Sequence, residues 1–587
     1  MKIKWFILVF ELLLVTVLSF WALKPLLVKG YFPMHDDTQP ARIFEMAKAL
    51  KEGQFPVRWV GDLGYGAGYP LFNFYAPLPY YLGAVFYLSG FSAISSAKII
   101  FGLSIIMSSI FMFLFLKKIV GSAAGVAGSV LYLYAPYHAV NIYVRGALGE
   151  SYAYAFIPLL SLGIYQILTD KTEHKEGHGI LWGTLGLSGM ILSHNILGML
   201  GLLLLLLMIA VIFIYLSVKK FNLKIILPFS SIVCLSLLIT SFFWLPAISE
   251  KHFTNVESVT QGGSDFRDHF VYFDQLWNSA WGYAGSAPAR ADGMSFMIGK
   301  FHLVLSVFSL ALYLIFFKKQ KKENSGRIFL ISAVLFILST FMMLQPSRFI
   351  WLLFPFLKYI QFPWRFLNLS LFFLVLVILY LFTFLEAKQK KTLSALVIIF
   401  SILFYAKFFQ PAMYITSTDA NYISAASLTG KMSAISDEYL PIDFIKKNGQ
   451  EMIDSSNAIS NINARVDIDR FTYKEITINS LEKGEYIAPF TFFPGWEAAL
   501  DSKKIMIKET FGRISISVPA GESQLELMFT DTGVRKIANT ISIFGIFLLV
   551  YVALFRAKGS FPMFIGITAL CAAFSSKIKN MLLMDAA

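Results

Sequence analysis

The chain has 587 residues, of which 57% are hydrophobic, 16% aromatic and only 15% charged. Soluble proteins carry about 25% charged residues, and the deficit here gathers into long uncharged runs, which excludes an ordinary soluble domain. The formal charge of +14 does not mark a nucleic-acid binder either. Lys and Arg form no basic face; they cluster at the ends of apolar runs, at Lys117 and Lys118, Lys219 and Lys220, the lysines of 318–322, and Lys388 with Lys390 and Lys391. Cytoplasmic loops of membrane proteins retain basic residues in this way.

Lys2 and Lys4 precede an apolar run longer than a signal-peptide core, with no small-residue cleavage site after it, so 5–24 reads as a retained first span. With those lysines cytoplasmic, 25–95 is a long exterior loop with helices along the membrane surface. Spans follow at 96–116, 119–136, 152–168, 179–193, 196–217 and 224–246, with the polar stretch 170–178 inside. A second exterior loop, 249–300, leads to spans at 301–317, 327–344, 365–385 and 392–409, with 345–364 at the interface, and 537–555 is the last clear span. Every large basic cluster then falls on the cytoplasmic side. Counting 76–92 as a further span would put Lys117 outside and upset the clusters after it. Segment 560–575 is too short to assign as spanning or re-entrant.

Residues 410–536 are polar and alternating. Arg513–Val518 and 473–479 repeat with period two, and Pro494-Gly495 and Pro519-Ala520-Gly521 supply turns between such runs, which predicts a small antiparallel β-sandwich. The expected architecture is therefore an α-helical polytopic membrane protein of about twelve to thirteen spans. It comprises a transmembrane module over 1–409, an exterior β-rich domain over 410–536 and a C-terminal transmembrane part over 537–587. The two cysteines, Cys234 and Cys571, lie in apolar segments, so the β-rich region holds no disulfide of its own.

This path places His35, Asp36, Asp37, Arg58, Asp62, His138, Arg145, Glu150, His194 and Asn195 on the exterior face. Ionisable groups converging at a membrane boundary are a functional hypothesis; the competing reading is that exterior loops are simply polar. Asp36 and Asp37 stand out. Thr38-Gln39-Pro40 resembles a helix start, and Ile43, Phe44, Ala47 and Leu50 recur at helical spacing until Gly53. The acids sit at the N-terminus of an amphipathic surface helix, whose dipole favours their ionised form. One of them could be an N-cap, a general base, or, with Asp62, a ligand of a divalent cation such as Mg or Mn. The stretch from Gly61 to Tyr81 is rich in Gly, Pro and aromatics, which suit close backbone approach, sugar stacking or a membrane interface. No P-loop, nucleotide fingerprint or HExxH pattern occurs.

The order of span, long exterior loop opening on paired acids, and surface helices resembles the GT-C fold of lipid-sugar-dependent glycosyltransferases. More closely, the chain resembles the membrane proteins labelled 6-pyruvoyl-tetrahydropterin synthase-related, and the YfhO-like group. The matching pieces are His35-Asp36-Asp37, Tyr69-Pro70-Leu71-Phe72 through Tyr81, Arg145 to Glu150, and Ser193-His194-Asn195. Gln361-Phe362-Pro363-Trp364-Arg365-Phe366, Glu438-Tyr439-Leu440-Pro441, Phe493-Pro494-Gly495-Trp496 and Gly512 to Thr532 complete the likeness. The resemblance implies transfer of a sugar from a polyprenyl-phosphate donor to a glycan, lipid or protein acceptor on the non-cytoplasmic side of the cell membrane. In that reading Asp36 is the general base and Asp37 orients the acceptor or binds a cation. Arg145, His194 and Arg365 steady the leaving phosphate, and His35, Arg58, Asp62, Glu150 and Asn195 line the substrate site. A transporter or flippase of lipid-linked sugars, or a non-catalytic scaffold for cell-envelope glycan assembly, would use the same architecture without a base; a transporter would ordinarily show midplane charges and an internal repeat, and Glu11 is the one obvious charge within a span.

Overall fold

The computed structural model describes residues 2–169, 173–219, 225–316, 324–446 and 449–554. Long apolar runs become helices because lipid offers no partner to a backbone N–H or C=O, and a helix satisfies both internally. Seven described helices are long and apolar enough to cross a membrane: Ala93–Val120, Leu148–Thr169, Asn195–Ile214, Ser325–Met343, Pro363–Phe384, Ala387–Phe408 and Gly533–Leu554. Two bent pairs, Trp5–Leu18 with Phe20–Leu27 and Leu227–Ile239 with Ser241–Phe253, bring the number to nine if each pair is one span. The larger number expected from the sequence also counts three further segments. Ser122–Leu133 and Lys300–Ile315 are apolar helices shorter than a crossing needs, and Glu173–Ser193 opens on polar residues. Asp170, Lys220, the lysines of 318–322, Arg556, Lys558 and segment 560–575 lie outside the described residues.

Pro363–Phe384 is the central span, 83% buried, whereas Ala387–Phe408 is 22% buried and turns Ile399 and Leu403 outward, as a lipid-facing helix does. Helices Leu148–Thr169 and Glu173–Ser193 pack through glycines: a Cβ on Gly163 would lie 2.3 Å from the backbone nitrogen of Gly183. Glu11 forms an ion pair with Lys117 at the end of Ala93–Val120.

Between residue 462 and the final helix lie eight strands: β1 (Ile462–Asp469), β2 (Tyr473–Ser480), β3 (Gly484–Thr491), β4 (Trp496–Leu500), β5 (Lys503–Ile505), β6 (Lys508–Thr510), β7 (Arg513–Val518) and β8 (Gly521–Phe529). They form two antiparallel sheets, ordered β1-β2-β8-β4-β5 and β3-β7-β6. The alternation seen in sequence buries Ile476 and Ile478 of β2 beside Leu525 and Leu527 of β8.

The sheets and the chain before them cover the first long loop. Helix Gln39–Lys51 begins after Thr38 with Pro40 in its first turn, as its sequence predicts. It is not a surface helix, however. Nine of its residues are buried, among them Arg42 and Glu45, because residues of 410–536 pack over its outer side: Glu52, just past its end, accepts from Phe471 N at 2.6 Å, and Arg42 reaches Ser436. The Gly- and aromatic-rich stretch lies in the same seam. Gly68 has φ +75°, and a Cβ there would meet the Trp59 ring at 2.9 Å; the Thr491 amide donates to Ala67 O at 2.9 Å. Phe74 stacks on Tyr439, and Trp59 meets Trp496 edge-on. These rings are buried in protein contacts, which leaves them no face for a sugar.

Candidate functional site

The loop entering from the first bent pair runs beside residues 144–146. His35 N donates to Val144 O at 3.2 Å and Asp36 N to Arg145 O at 2.9 Å, while Gln39 Nε2 reaches Gly146 O at 2.9 Å. Gly146, at φ +63°, admits this approach, since a Cβ would collide with Met34. The first-loop acids are thereby fixed at the start of helix Leu148–Thr169.

The two acids then diverge. Asp37 is buried, accepts from Tyr422 OH at 3.0 Å and pairs with Lys431 at 3.0 Å. Burial raises its proton affinity against the pull of Lys431. Asp37 thus ties the loop to the 420–432 segment. The Asp36 carboxylate is half-buried and accepts no hydrogen bond from the described residues. Its charge acts on Arg145, Arg365 and Glu438.

Beside Asp36 stands a cluster built around Glu150. This carboxylate is fully buried in the first turn of Leu148–Thr169. Oε1 accepts from Tyr137 OH and Asn368 Nδ2, both at 2.8 Å; Oε2 accepts from Arg145 Nη1 at 2.7 Å and lies 3.5 Å from Arg365 Nε. Fully buried and holding three protein donors, Glu150 is turned to the arginines and not toward a substrate, unlike the role expected for it. Arg145 Nη1 also donates to Asn141 Oδ1 at 2.7 Å, and Arg365 Nη1 to Ile360 O at 2.8 Å and Gln361 Oε1 at 2.7 Å. The Arg145 guanidinium lies 4.5 Å over Trp364. Nη2 of neither arginine hydrogen-bonds to the described residues. Two guanidiniums therefore share one buried carboxylate, which leaves one positive charge over and the Nη2 group of each arginine unspent.

His194, at the end of helix Glu173–Ser193, packs near Gly149. Its Nδ1 accepts from Leu197 N at 3.2 Å, so the proton belongs on Nε2. Burial, then the Arg365 charge, hold it well below the usual histidine range. It is a neutral hydrogen-bond donor, not a third cation.

The other expected residues lie elsewhere. His35 Nε2 meets Tyr283 O at 3.0 Å, linking the first and second loops. Asn195 donates to Phe74 O at 2.9 Å. His138 is a core residue, bonded to Leu133 O at 2.8 Å and tilted on Tyr154. Arg58 is 2% exposed and bound to Asp531, Asn73, Phe242 O and Asn539. Asp62 is held by both contacts of Lys48, at 2.7 and 2.9 Å. Asp37 and Asp62 are each held by a different lysine while Asp36 stands unpaired, so the three do not fit a divalent cation. Among the described residues no group of three His, Cys, Asp or Glu side chains is arranged to hold one. Sequence reasoning missed Tyr137, Asn141, Trp364 and Asn368. The spacings Asn141–Arg145 and Arg365–Asn368, four and three residues apart, put each pair on one helical face and were the available signal.

A sequence profile described as the 6-pyruvoyl-tetrahydropterin synthase related domain, a membrane protein, matches residues 72–413. An uncharacterized protein of Lactococcus lactis subsp. cremoris is 27% identical over 304 residues, 49% of this chain and 46% of its own length, so the chain spans about half of that relative. Among solved structures, the mycobacterial arabinofuranosyltransferase AftD superposes with a TM-score of 0.43 at 13% identity, over 71% of this chain and 28% of that one.

Proposed function

The chain belongs to the 6-pyruvoyl-tetrahydropterin synthase related family of membrane proteins, and from that premise and its site we propose that it is a GT-C-type glycosyltransferase using a polyprenyl-phosphate sugar donor. The observation that carries this reading is the unpaired Asp36 carboxylate beside Arg145 and Arg365, whose free Nη2 groups stand at the head of spans Leu148–Thr169 and Pro363–Phe384. A lipid donor has its chain in the bilayer and its phosphate at such a boundary. The acceptor hydroxyl gives its proton to Asp36 as its oxygen bonds to the anomeric carbon. The bond from that carbon to the phosphate oxygen breaks, and the added negative charge on the departing carrier phosphate is met by the two guanidiniums. Glu150, Tyr137, Asn141 and Asn368 hold those guanidiniums in place before the charge develops. The transporter reading has less behind it, since Glu11, the charge within a span that the sequence singles out, is paired with Lys117.

Asp36→Asn keeps the shape but cannot accept the proton. Carrier release from a panel of polyprenyl-phosphate sugars should fall by about 10²- to 10⁴-fold with the melting temperature unchanged. Turnover equal to wild type removes Asp36 from the mechanism. This reading puts the site on the non-cytoplasmic face, so Gly484→Cys in a background lacking Cys234 and Cys571 should react with an impermeant thiol reagent in intact cells; labelling only after lysis inverts the topology.

A further inference from the structure

Helix Gln39–Lys51 carries, beyond Asp36, an arginine that the chemistry above does not use. Arg42 is 4% exposed; its Nη2 donates to Ser436 Oγ at 2.7 Å and its guanidinium lies 4.1 Å over the Tyr75 ring. Its Nε is buried with no hydrogen-bond partner, and so is Thr38 Oγ1 just before the helix. Glu438 arrives from the segment before β1. Its Oε1 is 3.9 Å from Arg42 Nη2, too far for a hydrogen bond, its side chain is 22% exposed, and apart from its own backbone N–H no donor among the described residues reaches it. Asp36 lies near enough for its charge to act on Glu438.

Interior polar groups are ordinarily paired. Here two half-buried carboxylates from distant segments and an incompletely satisfied guanidinium share one neighbourhood without pairing off. What would complete them must donate to Asp36 and Glu438 and accept from Arg42. A hydroxyl does both, and adjacent hydroxyls on one ring do so at once. We propose that Glu438 and Arg42 form the acceptor subsite, where a sugar ring is held through a hydroxyl other than the one Asp36 deprotonates. This rests on the transferase reading and names the acceptor as polyhydroxylated. Glu438 is a binding residue for the acceptor and takes no proton from it. Burial raises its proton affinity against the Arg42 charge, and a donated hydrogen bond would oppose that rise.

The test is equilibrium binding of methyl glycosides of the common pentoses and hexoses to the full-length protein in lipid nanodiscs, followed by tryptophan fluorescence. Wild type should bind at least one glycoside saturably. Glu438→Ala should weaken it about 10- to 100-fold, the loss of a hydrogen bond to a charged acceptor. Glu438→Gln, near-isosteric and still able to accept, should weaken it about 3- to 10-fold and decides the matter if the alanine variant does not fold. Unchanged affinity in Glu438→Gln and Glu438→Ala, or no binding of any glycoside to wild type, overturns the subsite. Binding that follows this pattern while no donor of the panel releases carrier overturns the transferase reading alone.

Discussion

Two buried arginine–carboxylate clusters, around Glu250 and around Glu150, stand out among the described residues, and they differ in what is left over. Around Glu250, the carboxylate takes hydrogen bonds from Asn73 at 2.8 Å, Thr532 at 2.9 Å and Arg535 Nε at 3.1 Å. Arg535 spends Nη1 on Thr530 O and Nη2 on Pro494 O, and Arg58 beside it spends all three nitrogens. Around Glu150, the carboxylate is equally saturated, but Arg145 and Arg365 hydrogen-bond through Nη1 alone and Asp36 stands by unpaired. The first cluster ties the start of the final helix to the first loop. The second has the same construction with donors held in reserve. Burial of an arginine marks neither structure nor function; unspent hydrogen-bonding capacity separates the two.

The largest effect should come from breaking the closed cluster. Glu250→Ala leaves Arg535, 0% exposed, buried without its counter-charge, which costs about 3–5 kcal/mol. Chemical denaturation in micelles should show it, and a variant as stable as wild type would mean that the cluster is not what anchors the final helix. A paired exchange sharpens the contrast. Arg365→Lys keeps the charge and loses the fork, so carrier release should fall about 10²- to 10³-fold with a modest loss of stability. Arg58→Lys abandons several buried partners, which costs about 1–3 kcal/mol, and the surviving folded fraction should turn over normally. If Arg58→Lys instead loses turnover at full stability, Arg58 belongs to the substrate site after all.

Much of this is legible in the sequence alone. The spans follow from apolar run length, and β2 and β7 follow from the alternation of 473–479 and 513–518, because both signals are local. The helix after Asp37 was legible in its limits and not in its burial, since what covers it arrives about 400 residues later in Ser436 and Phe471. The same separation hid which polar residues are spent. Arg58 meets Asp531 across 473 positions and Glu150 meets Asn368 across 218, so residue type and loop placement made Arg58 and Arg365 look alike. Glu438 stood in a recognisable motif, Glu438-Tyr439-Leu440-Pro441, yet its lack of a donor from any other described residue is a property of the packed chain alone.

The smallest expected effect concerns a third kind of buried carboxylate, one with no arginine. Glu45 is fully buried; Oε2 accepts from Asp62 N at 3.2 Å and Oε1 has no partner. Burial, then the neighbouring Asp62 charge, raise its proton affinity well above the ordinary value of 4.5, with Lys48 opposing. The folded state therefore holds a proton that the unfolded chain releases. Stability is fully present below pH 4.5 and falls as the pH rises from there toward the folded value, because the folded state binds more protons across that window. Glu45→Gln imitates the protonated group at every pH. At acidic pH the two proteins should be equally stable, within about 1 kcal/mol. On raising the pH to neutrality the variant should gain on wild type, in denaturation curves taken at matched ionic strength. A variant that loses stability relative to wild type as the pH rises would show Glu45 ionised and stabilised by Lys48, and would place this carboxylate with Glu150 and Glu250 among the paired ones.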